Sequence, residues 1–94
     1  MYDGFSMGPV SKPQYISRLA FGTYGIVHHS DIEQLNSIGL IHFKSLDVET
    51  LKALRASVWH YERSIPKDYI SHLKAVNILE SKIEKALLYA KKRG

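Results

Sequence analysis

Pro66 stands between two runs of apolar residues that each recur at helical spacing, and this arrangement limits what the chain can fold into. Before it, Leu51, Leu54, Val58, Tyr61 and Ile65 step by three, four, three and four, the pattern of a helix with one apolar seam. After it, Tyr69, Leu73, Val76, Ile83, Leu87 and Ala90 form a second seam, with Leu79 and Ala86 beside it. Proline pushes the residue before it out of the helical region, yet it costs nothing in a helix's first turn. Helices are therefore predicted over 47–64 and 67–92, joined by a tight corner. Such a pair makes an α-hairpin or an L, and its open flank needs covering.

The N-terminal half is read as that cover. Residues 1–13 hold Gly4, Gly8, Pro9 and Pro13 and read as a flexible tail, leaving 14–94 as a single helical domain. Tyr15, Ile16, Leu19 and Ala20 recur at helical spacing until Gly22 and Gly25 stop the run, so a helix is expected over 14–22. A strand through Ala20–Val27 is the competing reading, because Phe, Thr, Tyr, Ile and Val favour extended backbone. Ser30 followed by Glu33 matches a capping box and opens a helix over 31–38, with Gly39 as its left-handed closing residue. Asp47, or Ser45, is the cap of the next helix. The expected class is all-α with about four helices, and at most a short β hairpin near 25–28 and 40–43.

With 94 residues there is room for one modest core. The absence of cysteine removes disulfides, thiolate chemistry and Cys-based zinc sites. No apolar stretch approaches the ~20 residues of a membrane span. The N-terminus lacks the cationic and apolar regions of a signal peptide. A cytoplasmic protein without a membrane partner is the resulting expectation.

Charge is distributed unevenly. Residues 1–65 carry six basic and six acidic side chains, whereas 66–94 carry seven basic against three acidic, which accounts for the net +4. At 100° per residue, Lys67, Lys74, Lys85 and Lys92 fall on one stripe opposite the second seam, and Arg93 extends the charge at its end. Such a row suits phosphate neutralisation by counterion release, with Arg55 and Trp59 contributing beside it. The first expectation is thus a non-enzymatic, nucleic-acid-associated regulator, its partner DNA or RNA. Lysines are equally the ordinary solvent face of an amphipathic helix.

The alternative belongs to another class. Trp59, Ile70, Ile78, Leu88 and Tyr89 lie off the seams, which suits an adaptor or inhibitor that binds a protein partner or a second copy of itself. Arg55 and Trp59 are one turn apart, within reach of a cation–π contact. Glu80 occupies a seam position between Val76 and Ile83; it sets register or oligomeric state, pairs with a basic group such as Arg55 or Arg63, or reaches solvent at the edge.

Five histidines invite a metal reading, but His28, His29 and His42 lack helical ligand spacing, so no metal, cofactor or small-molecule substrate is inferred. His72 with Asp68 one turn earlier suits a local ion pair. No nucleophile elbow or phosphate-cradling glycine loop is present, hence no catalytic residue is named. Residues 31–41, a short helix closing on Ile38-Gly39-Leu40-Ile41, resemble the turn of helix-turn-helix and helix-hairpin-helix domains, with Ser37 where the latter carry glycine. That resemblance implies nucleic acid as partner and is confined to this stretch.

Overall fold

The computed structural model describes residues 11–23 and 25–93. These form an all-α domain of five helices in the order α1 (Lys12–Phe21), α2 (His29–Ser37), α3 (Leu40–Lys44), α4 (Val48–Arg63) and α5 (Ile70–Arg93). The tail expected over 1–13 falls outside the described residues up to 10, and its last two positions are already in α1.

The seams behave as their period dictates. Leu51, Leu54 and Val58 of α4 are fully buried, with Tyr61 and Ile65 nearly so; Val76, Leu79, Ile83, Ala86 and Leu87 of α5 face them. Removing each large side chain from water contributes about 2 kcal/mol. α1 packs on α4, while α2 and α3 both pack on α5, so the long pair is covered from two sides. Ile16, Ile32, Leu35 and Phe43, all at 0% exposure, carry the covering helices into the same core.

Several local expectations need correction. α1 opens two residues before the expected start at 14, because Ser11 and Gln14 form the reciprocal capping box and Pro13 sits in the first turn. α2 begins at His29, after a His28 cap that makes no side-chain bond, so Ser30 lies inside the helix. Gly39 has φ −65° and starts α3; among the described residues the left-handed glycine is Gly25, at φ 62°. Residues 40–44 are helical, which removes the hairpin, and no strand occurs among the described residues. Asp47 caps α4 through a 2.9 Å bond from the Thr50 amide, as its position implies.

After Pro66 the chain makes a turn, with the Tyr69 amide 3.0 Å from the Pro66 carbonyl, and α5 starts only at Ile70. Lys67 therefore lies before the helix, and Tyr69 is 50% exposed and not part of the seam.

Candidate functional site

The outer face of α5 is the surface on which most of the expected site residues meet. Lys74, Lys85 and Lys92 are all exposed and share one stripe. The acids of this helix, Glu80 and Glu84, fall on the flank turned to α4, so the stripe itself holds none. Among the lysines stand Ile70, Ile78 and Leu88, 60–62% exposed, and Tyr89 at 45%. Helical stepping puts Ile70 and Leu88 on the α4-ward side of the row, Ile78 and Tyr89 on the α3-ward side.

α3 adds to this surface on that second side. Its Ile41 is the most exposed large apolar residue of the described chain, at 73%. Lys44 Nζ lies 5.0 Å over the Tyr89 ring, and the Arg93 guanidinium is 5.7 Å from the same ring. Two cations thus frame one tyrosine.

Other expected site cations are engaged elsewhere. Arg93 donates to the carbonyls of Lys44 at 3.0 Å and Leu46 at 3.1 Å, closing the C-terminal end of α3. Arg55 pairs with Glu84 Oε1 at 2.9 Å and stacks over Trp59 at 4.8 Å, the cation–π contact its spacing makes available. Trp59 is 47% exposed, on α4, across the Glu84 flank from the α3 side. The chain therefore gathers Ile78, Lys85, Tyr89 and Ile41 on one side and leaves Trp59 apart.

Lys82 is a residue whose role sequence reading missed. Its ammonium donates to the carbonyls of Asn36 at 2.9 Å and Ile38 at 2.7 Å, reaches that of Leu35 at 3.5 Å, and lies 5.3 Å over the Phe43 ring. Burial pushes its pKa down. The available signal was angular: Lys82 sits about 80° off the lysine row.

Glu80 is neither at a free edge nor paired with Arg55 or Arg63. Its half-buried carboxyl meets Glu62 of α4, and burial, then the Glu62 hydrogen bond and charge, then Glu84, push it up to about 7. The protonated form can donate to its neighbour.

The histidines do not converge on an ion. His72 lies against His29, ring centroids 3.8 Å apart, and not against Asp68. The Tyr61 hydroxyl is 3.3 Å from His29 Nδ1. The His29 and His72 rings are tilted by 37° to each other. Among the described residues no group of three or more His, Cys, Asp or Glu could hold a metal. None of the described helices is long and apolar enough to cross a membrane.

Comparison of the chain with protein-family models, with curated proteins and with solved structures gives no match.

Proposed function

We propose that this chain is a small cytoplasmic protein-binding module, an adaptor or inhibitor without catalysis of its own, which docks a partner on the outer face of α5. One observation carries the reading: Ile70, Ile78 and Leu88 stand 60–62% exposed in the gaps of the lysine row. Large aliphatic side chains held in water on a rigid helix are what an interface covers. The lysine spacing supports the same reading. At 1.5 Å per residue, Lys74 to Lys85 spans about 16 Å and Lys85 to Lys92 about 10 Å. Phosphates recur every ~3.4 Å along one strand of a duplex, so the row is too sparse to track successive ones.

Ile78→Asp and Leu88→Asp test the proposal without disturbing the core, since both side chains are outside it. Capture on the immobilised full chain should yield a saturable protein ligand that both variants lose while keeping their helical circular dichroism. If every captured protein stays on the double variant, the α5 face is not the docking surface.

A nucleic-acid role for the same face draws support from the stripe of exposed lysines with no acid on it. Lys74→Glu, Lys85→Glu and Lys92→Glu together should then abolish oligonucleotide binding at low salt, with affinity falling steeply as salt rises. No oligonucleotide binding by the native chain at low salt ends that second reading.

A further inference from the structure

We propose that the partner presents an acidic amphipathic helix, whose large aliphatic side chains enter two cavities along the α3–α5 seam while its carboxylates meet the lysines around them. This rests on the protein-docking reading and adds the chemistry of the partner. The first cavity, about 320 Å³, is bounded by Leu40 of α3 with Ile78 and Lys85 of α5. The second, about 410 Å³, is bounded by Ile41 and Lys44 of α3 with Tyr89 of α5. Both therefore open on one side of α5, on its α3-ward flank.

Each cavity combines an exposed aliphatic wall with a cation, and no acidic residue lines either. A purely apolar partner would take the Lys44 and Lys85 ammonium groups out of water without compensation. A polyanion without apolar groups would leave Ile41 and Ile78 wet. A segment carrying both aliphatic side chains and carboxylates answers both conditions. A second copy does not, because it would bring the same cations against themselves on a chain of net charge +4. Ile78 and Tyr89 are about 16 Å apart along α5, three helical turns, so the partner's anchors belong at i and i+11 of a helix lying along the seam.

Titration of the isotopically labelled full chain by NMR decides this with four probes. The first is a helical peptide with leucine anchors at i and i+11 and glutamate flanks. The second keeps the leucines but has lysine flanks, the third keeps the glutamates but has alanine anchors, and the fourth is a single-stranded oligonucleotide. The first peptide should shift the amides of Ile41, Lys44, Ile78, Lys85 and Tyr89 and bind about tenfold or more tighter than the second or third. Ile78→Asp and Lys85→Glu should each weaken it about tenfold, and Ile41→Ser gives an independent check. Equal binding of the second peptide, or of the third, overturns the acidic amphipathic partner while the docking surface stands. If only the oligonucleotide shifts these amides, or none of the probes does, the docking reading fails with it.

Discussion

Glu80 of α5 and Glu62 of α4 meet carboxyl to carboxyl across the long helix pair, at the one seam position where the apolar period is broken. Two carboxylates cannot share such a half-buried place fully ionised, so the folded chain holds a proton there up to about pH 7. In the unfolded chain the same group releases it near its ordinary value of 4.5.

The sign of the resulting pH dependence follows. Between about pH 4.5 and 7 the folded state binds the extra proton, so stability is greatest below that window and falls as pH rises through it. Glu80→Gln removes the titration while keeping a donor toward Glu62. The melting temperature of the variant should match the native chain near pH 5 and exceed it near pH 8. A difference between the two chains that does not grow with pH would show that the pair is not coupled to folding.

Lys82 illustrates a second dependence of the fold on α5. Its ammonium covers the carbonyls of Asn36 and Ile38 at the end of α2, where no further helical amide is available. Lys82→Met keeps an unbranched apolar side chain but takes the ammonium from over the Phe43 ring and leaves those carbonyls unpaired. The expected cost is about 1–2 kcal/mol, read from urea unfolding midpoints, with amide exchange accelerated in α2. An unchanged midpoint would mean water replaces the ammonium without loss.

How much of this was legible beforehand depends on the range over which each feature is encoded. The α4 and α5 seams and the corner at Pro66 are local patterns, so Leu51, Leu54, Val58 and Ile83 could be placed in the core from spacing alone. The exposure of Ile70, Ile78 and Leu88 follows from the same stepping. α3 is different. Five residues hold too little periodicity to read, and the helix is fixed by Phe43 entering the core and by side chains of α5 more than forty positions away. Because Ile41 and Lys44 come with α3, the second half of the candidate surface could not be seen in the sequence. For the same reason Lys82 drew no role from the sequence and Arg93 read as part of the phosphate-facing charge: their carbonyl partners are tertiary.

Arg93 supplies the most direct check on that tertiary link. Its two nitrogens hold the carbonyls of Lys44 and Leu46, so the last turn of α5 closes the end of α3. The same guanidinium lies beside the Tyr89 ring, and Asp47, the cap of α4, is held below its usual range first by its bonds to Thr50 and least by the Arg93 charge. Arg93→Ala should therefore loosen α3 selectively: faster hydrogen exchange at Phe43 to Leu46, with global stability lowered by about 1 kcal/mol or less because the contacts are at the surface. Arg93→Lys keeps the charge but not the two-pronged reach, and should restore little of the protection. If exchange in α3 is unchanged in Arg93→Ala, the helix stands on Phe43 alone, and Arg93 is then a cation free to serve the α5 face.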